Sequence, residues 1–589
     1  MNALQPLPAL RDRLPVTALD RAFADFLMTW RPSPQPAHWV LATLASHQLG
    51  RGHACLDLAA LLADPAGTLG WEAAAIAALP LPGVDQARDL PWAQAPDAPE
   101  DGTRPMVFVD GPRPLLYLRR AWKAEQQILA SLAERLALPD TPMPANRVAS
   151  LDALFGPADP RHDAQRRACE VAATGRFTII TGGPGTGKTT TVARLLYLLA
   201  QDAQSRGSPL SVQLAAPTGK AASRLSQSLG AQIAQLPGGA ALGLPTTAVT
   251  LHRLLGWRGD SPAAAPKAVE ADVVVVDEAS MIDLEMMARL LQSVPASARL
   301  ILLGDKDQLA SVEAGAVLAQ LCARTDLAPR VVTLTYSHRF GADSGIGRWA
   351  ALVNAGDDAG IAEAWAALRD AGETAAPVSR MRGARLPSPQ FEAVLRAGWA
   401  DWLAQLAVLR AGTMDCSDAE AGQLLDAFAA FQVLTALREG PWGAGPLNEV
   451  IARSLGFPRL PWYAGRPVLV TQNDYGLRLM NGDVGLCLPR DGGLRVAFRE
   501  SEGSLRWVPP SRLEAVDTVF AMTVHKSQGS EFGTVLLVLP DEPGPLLTRE
   551  LLYTGITRAR SRVILQAARP AVLGQAVRRR VSRSGGLAG

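Results

Sequence analysis

The chain has 589 residues, with 58 Lys plus Arg against 56 Asp plus Glu, so its formal net charge is only +2 and any nucleic-acid surface must be local. Five cysteines (Cys55, Cys169, Cys322, Cys416, Cys487) are scattered without a C-x-x-C pair, which argues against a zinc site or a disulfide framework and fits a reducing compartment. No basic region followed by an apolar core opens the chain and no apolar run approaches membrane-spanning length, so a cytoplasmic protein of roughly three or four domains is expected.

Residues 1–145 carry no catalytic motif. Helical stretches are predicted at 18–30 and 39–49, a proline-rich break at 80–105, a β-run at 106–109, and a short strand passing into a helix over 114–138. His38, His47 and His53 have no metal-ligand spacing and read as surface or core histidines. This segment is expected to be an accessory domain that docks partners. A linker at 139–144 follows, and then DPRHDAQRRAC at 159–169, where the Gln165 amide could pair with an adenine edge or simply be a solvated helical glutamine.

A β-rich run at 177–181 leads into Gly182, Gly183, Pro184, Gly185, Thr186, Gly187, Lys188, Thr189 and Thr190, and Val192, Leu195, Leu196 and Leu199 then recur at helical spacing. Strand, G-x-x-x-x-G-K-[ST] loop and helix together form a phosphate cradle. Glycines let backbone N–H groups converge on phosphate oxygens, Lys188 reaches the β- and γ-phosphates of ATP, and the Thr189 hydroxyl ligates Mg²⁺. A strand at 212–216 ends in Pro217, Thr218, Gly219 and Lys220, a second loop suited to a polyanion, with a helix through Leu229. Thr250 to Arg253 opens a further helical turn, and 258–268 is a Pro/Ala-rich loop.

The apolar run 271–276 is what a strand buried on both faces requires, and it ends in Asp277, expected to hold Mg²⁺, and Glu278, expected to position and deprotonate water. Strand 300–303 delivers Gln308 as a γ-phosphate sensor, and strand 331–334 runs to His338 and Arg339. Five strand-plus-loop units facing one edge predict a RecA-like ATPase core.

Farther on, Phe391, Val394, Leu395, Trp402 and Leu406 make one packed face of a helical stretch at 391–409. A β-run at 431–436 follows, then short strands from 466 to about 513 with turns at Asn481-Gly482-Asp483 and Asp491-Gly492-Gly493, read as a small β-barrel insertion. Strands at 520–523, 535–539 and 563–565 complete a second motor. Between them lie His525 and the helix at 549–560, whose Arg558 would reach the γ-phosphate held by the first motor. The basic tail, 578–583, reads as a solvated end and not a DNA contact.

Eight stretches in order resemble the motifs of superfamily 1 helicases: GGPGTGKTTTVARLL (182–196), LAAPTGKAASRL (214–225), TLHRLLG (250–256), VVVVDEASMIDL (273–284), LLGDKDQLASVEAGAVL (302–318), LREGPWGAGPLNE (437–449), MTVHKSQGSEF (522–532) and YTGITRAR (553–560). Together with GHACLDL at 52–58, they are most similar to the RecD family, the alpha subunit of exodeoxyribonuclease V (the RecBCD complex). The resemblance implies an α/β fold: two RecA-like P-loop motor domains with parallel sheets, a Src-homology-3-like β-barrel inserted in the second at about 474–515, and a mainly helical N-terminal domain. The implied boundaries are 1–145, 146–345, 346–575 and a tail of 576–589.

Also implied is an ATP- and Mg²⁺-dependent 5′ to 3′ DNA helicase that works beside RecB-like and RecC-like subunits in double-strand break repair. Lys188, Thr189, Asp277, Glu278, Gln308, Arg339 and Arg558 would serve ATP chemistry, and Thr218, His252, Thr523 and His525 would line the single-stranded DNA track. His338 stands where the family pattern has Tyr, and Gly555 where it has Ala. A related stand-alone helicase and an ATP-switched assembly subunit are the competing readings. No D…[DE]-x-K nuclease cluster is evident, so the chain is expected not to cut DNA itself.

Overall fold

The computed structural model describes residues 13–77, 79–98, 104–142, 145–156, 159–257, 266–311, 313–341, 344–373, 376–383, 386–411, 415–474, 476–500 and 503–588. Residues 1–12, parts of the 80–105 and 139–144 segments and most of the 258–268 loop lie outside these.

The N-terminal region is built from helices such as Ala18–Trp30, started by a Thr17/Asp20 capping box, and Pro36–Gly50. It also carries a four-stranded sheet that the sequence pattern only partly announced. Its strands are β1 (Cys55–Asp57), β2 (Ala93–Gln94), β3 (Met106–Val109) and β4 (Leu115–Leu118), in the order β1-β4-β3-β2. From β4 the helix Arg119–Ala137 runs off, and its Ala121, Ala124, Ile128 and Leu132 share one apolar core with Met287, Leu290 and Leu291 of the helix Leu284–Ser293. The first region is therefore fastened to the next by buried surface, not by a linker alone.

A six-stranded parallel sheet follows: β5 (Phe177–Gly182), β6 (Val212–Ala216), β7 (Val249–Thr250), β8 (Val273–Val276), β9 (Arg299–Gly304) and β10 (Val331–Leu334), ordered β10-β5-β9-β8-β6-β7. Sequence periodicity predicts five of these. The sixth, β7, is two residues at the edge and reads as the start of a helical turn, because its strand character comes only from pairing with β6. Every residue of β8 is fully buried, as the valine run requires.

Next come β11 (Val378–Met381) and β12 (Phe431–Thr435). An antiparallel five-stranded unit is then inserted: β13 (Pro467–Val470), β14 (Val484–Arg490), β15 (Gly493–Arg499), β16 (Leu505–Val508) and β17 (Val516–Thr518), in the order β16-β15-β14-β13-β17. Strands β18 (Ala521–Thr523), β19 (Phe532–Val538) and β20 (Ala559–Gln566) complete a second parallel sheet, β11-β20-β19-β12-β18. The predicted stripe at 391–409 forms two helices, Pro389–Gly398 and Ala400–Ala411, and all five of its named residues are buried. Between the two helices, fully buried Trp399 stacks on Phe428 at 5.7 Å between ring centroids and donates its indole N–H to the Phe431 carbonyl at 3.0 Å.

The basic tail is solvated at Arg578, Arg579, Arg580 and Ser582, as expected, but from Arg583 onward the chain is anchored. After the helix Ala571–Arg578, Arg583 donates to the carbonyls of Ser311, Glu313 and Gly315 at 2.5, 2.8 and 3.1 Å, and Gly586 N–H donates to the Glu125 carboxylate at 3.0 Å. Leu587 is wholly buried. Charge density alone suggested solvation, but open backbone carbonyls at the junction of the first two regions supply the acceptors that this arginine needs.

Candidate functional site

At the carboxyl end of β5 the chain turns through Gly185 (φ 78°) and Gly187 (φ 83°) into the helix Lys188–Ser205. Both conformations lie in the left-handed region that glycine tolerates. At Gly185 a side chain would also collide, since a Cβ there would stand 2.4 Å from the Arg339 Cβ. Gly182, Gly183, Pro184 and Thr186 complete the loop, with the Thr186 hydroxyl donating to the Gly183 carbonyl at 2.8 Å. Lys188 Nζ donates to the carbonyls of Gly182 at 2.5 Å and Gly183 at 3.1 Å. Thr189 and Thr190 open the helix, half-buried, where its N–H groups point out. A cavity of about 300 Å³ adjoins the loop, lined among others by Thr181, Gly183, Lys306, Asn354 and Tyr553.

Gln165 is buried, 3% exposed, and donates to the Thr186 carbonyl at 3.1 Å, so the solvated reading of this glutamine is excluded. Beside it the His338 and His162 rings stack at 5.8 Å. Burial, with the charges of His162 and Arg161, lowers the His338 pKa.

Asp277 and Glu278 close β8. Burial and the neighbouring Glu278 push the Asp277 carboxyl up to about 6, against the opposing pull of Lys188 and Arg224. Glu278 adopts φ 51°, a rare value for a residue with a side chain and of the kind that clusters at functional sites.

Gln308 links the two sheets. Its Nε2 donates to Asp305 at 3.0 Å, and its Oε1 accepts from Arg558 Nη2 at 2.6 Å. Asp305 also accepts from Tyr553 at 3.0 Å, and the Thr554 hydroxyl accepts from Leu309 N–H at 3.0 Å. Arg558 caps the C-terminus of the helix Arg549–Thr557, with β20 starting at the next residue, and it is 2% exposed. In the same helix, a Cβ on Gly555 would lie 3.0 Å from both Leu537 methyl groups and 3.4 Å from Val524, a tight fit where the family pattern has alanine.

The four DNA-track candidates occupy separate settings. Thr218 caps the helix Gly219–Ala234, and Gly529 approaches it closely enough that a Cβ there would be 4.0 Å from its hydroxyl. His252 stacks on Trp257 at 5.3 Å. The Thr523 hydroxyl accepts from Lys526 N–H at 3.3 Å, and burial lowers the pKa of His525. The histidines of the N-terminal region are engaged elsewhere: His38 with Ser33, His47 with Trp71 and His53 with Ser584. Among the described residues no cluster of His, Cys, Asp or Glu is arranged to hold a metal by itself.

Motif reading left three residues without a role. Arg224 and Glu531 lie within quoted motifs yet meet only in space, as an ion pair. Tyr553 has only its place in YTGITRAR as a sequence signal.

The chain matches three family profiles: the N-terminal domain of RecBCD enzyme subunit RecD over 14–113, an AAA domain over 161–376 and a UvrD-like helicase C-terminal domain over 518–566. It is 42% identical over 522 residues to the RecBCD enzyme subunit RecD of Mycobacterium tuberculosis, covering 84% of this chain and 85% of that one. The Haemophilus influenzae subunit of the same name is 35% identical over 551 residues, with 83% and 81% covered. The ATP-dependent RecD2 DNA helicase of Deinococcus radiodurans is 32% identical over 488 residues, with 80% of this chain but 58% of that protein covered.

Proposed function

The chain belongs to the family of RecBCD enzyme subunit RecD, and we propose that it is the ATP-driven 5′ to 3′ DNA helicase subunit of a RecBCD-type helicase–nuclease. RecB-like and RecC-like subunits are its partners, and linear double-stranded DNA is the substrate in double-strand break repair. The observation that carries this reading is Arg558, which caps the helix leading into β20 of the second sheet and is buried on Gln308 beside the first, 2.6 Å away. Such a contact lets nucleotide chemistry on one unit pull on the other. The N-terminal match over 14–113 favours the complex-bound subunit over a stand-alone helicase.

In this reading the loop Gly182–Thr190 and Lys188 bind the phosphates of ATP, with Gln165 and the His338 ring beside the base. Thr189 and Asp277 would hold Mg²⁺: a hydroxyl and a carboxylate are hard oxygen donors, and Asp277 is buried beside a second carboxylate, Glu278, a pairing that a cation would relieve. Bound there, the ion neutralises charge on the phosphate oxygens. Glu278 orients the attacking water and accepts its proton, Gln308 senses the terminal phosphate, and Arg339 and Arg558 stabilise charge developing on it. Thr218, His252, Thr523 and His525 line the strand's path.

Residues 1–145 dock the partners, 146–345 and 346–575 are the two RecA-like motors, and the antiparallel insertion is a Src-homology-3-like barrel. The chain supplies the motor and not the nuclease, in the cytoplasm. No described helix is long and apolar enough to cross a membrane. The test is unwinding of tailed duplexes by the purified chain and by its complex. Duplexes with a 5′ tail should open in ATP and those with only a 3′ tail should not; the reverse preference refutes the polarity, and no opening in the complex refutes the helicase.

A further inference from the structure

Between the two parallel sheets one buried carboxylate faces three guanidinium groups. Glu531, in the segment joining β18 to β19, has a side chain 6% exposed and pairs with Arg339 Nη2 at 2.9 Å, with Arg560 Nε at 3.3 Å, and with Arg224. Arg560 lies on β20 of its own unit, whereas Arg224 and Arg339 come from the first sheet's side of the cleft. Burial alone would raise the Glu531 pKa, but Arg224 and Arg339 outweigh it and hold the carboxyl at about 2, so the bridge stays charged throughout the physiological range.

Of the two arginines that cross the cleft, Arg339 also faces the phosphate loop, its Cβ packed beside Gly185, and Arg224 faces the acidic pair that closes β8. Arg339 follows His338, whose N–H donates to the Gly185 carbonyl at 2.9 Å, and Ser337, whose hydroxyl donates to the Pro184 carbonyl at 3.0 Å. Its Nη1 is buried without an acceptor. A guanidinium N–H left unpaired in a protein interior is costly, and the loop beside it is shaped for anions. Arg224 is held by Glu531 and also feels Asp277 and Glu278. Arg339 therefore stands between a carboxylate of the second unit and the phosphate loop of the first, and Arg224 between that same carboxylate and the Asp277-Glu278 pair.

We propose that Glu531 is a positioning residue that competes with the terminal phosphate of a nucleoside triphosphate for Arg224 and Arg339, and that exchange of these arginines between carboxylate and phosphate opens and re-forms the bridge across the cleft. Arg224 thereby joins the residues that distinguish tri- from diphosphate. A diphosphate has no group to compete for them and leaves the bridge closed. The inference rests on the reading of Arg339 as directed at phosphate.

The experiment is titration calorimetry of the full chain with a non-hydrolysable triphosphate, AMP-PNP, and with ADP, both with Mg²⁺, for wild type, Glu531→Gln and Arg224→Gln. Glu531→Gln should tighten AMP-PNP about fivefold relative to ADP, and Arg224→Gln should weaken AMP-PNP about fivefold while ADP stays within about twofold. An unchanged AMP-PNP to ADP ratio in Glu531→Gln overturns the proposal. If that variant does not fold, an unchanged ratio in Arg224→Gln overturns it instead. Arg339→Ala separates the two levels: if it hydrolyses ATP like wild type, the arginine reading itself fails. If it is impaired while Glu531→Gln keeps the wild-type ratio, only the competition fails.

Discussion

The two parallel sheets share an architecture but not a chemistry. In the first, strand ends deliver a phosphate loop, an Asp277-Glu278 pair and Gln308, all polar and aimed at one edge. In the second, the space beside the strands is filled by Trp399, Trp402, Phe428, Phe431 and Phe520, a continuous aromatic core. Its contribution to the first sheet's site consists of a few side chains, among them Tyr553 and Arg558 from the helix Arg549–Thr557 and its C-cap, and Glu531 from the segment before β19. In the proposed function the first unit binds the nucleotide and the second responds to it.

The contrast breaks most sharply at Arg558. Arg558→Ala should lower single-turnover ATP hydrolysis by about a thousandfold, the effect of losing an arginine that stabilises transferred phosphate, while ADP affinity changes little. Comparable losses of binding and turnover would place Arg558 in the fold and not in the chemistry. A substitution confined to the second unit's core sharpens the other half. A Cβ on Gly398 would lie 2.5–2.7 Å from the Phe431 ring, which is locked against Trp399, so Gly398→Ala should cost about 1–3 kcal/mol in denaturant unfolding. Nucleotide binding at the first sheet should survive it.

The smallest effect concerns the tail. Burial raises the Glu125 carboxyl to about 7 from 4.5, opposed by hydrogen bonds from Tyr117 and Gly586. Because the folded state holds this proton more tightly than the unfolded chain, stability should fall as pH rises from about 4.5 to 7. At about 1.4 kcal/mol per pH unit of displacement the ceiling is about 3 kcal/mol. Glu125→Gln should flatten that slope in thermal melts across pH, and an unchanged slope would remove Glu125 as its source.

What the sequence made legible is local. The phosphate loop, the valine run ending in two acids and the helix from Ala18 to Trp30 are each specified by adjacent residues, and each forms where the pattern places it. Strands β1, β2, β7 and β11 are two to four residues long and owe their conformation to pairing partners far along the chain, so no period announces them. The same holds for the site. Gln308 could be singled out, but its fixing by Asp305 and Arg558 depends on residues brought together only by closure of one sheet on the other. The tail misleads for a related reason: Arg583 is bound by backbone carbonyls, which no side-chain pattern records.

The most direct test of a nucleic-acid-coupled motor is ATP turnover by the purified chain with and without single-stranded DNA, beside Lys188→Ala. Turnover should be stimulated about tenfold or more by DNA and abolished in the variant. Turnover indifferent to DNA in a folded, nucleotide-binding chain, and still indifferent after the partner subunits are added, would contradict the coupled motor and leave an ATP-switched assembly subunit.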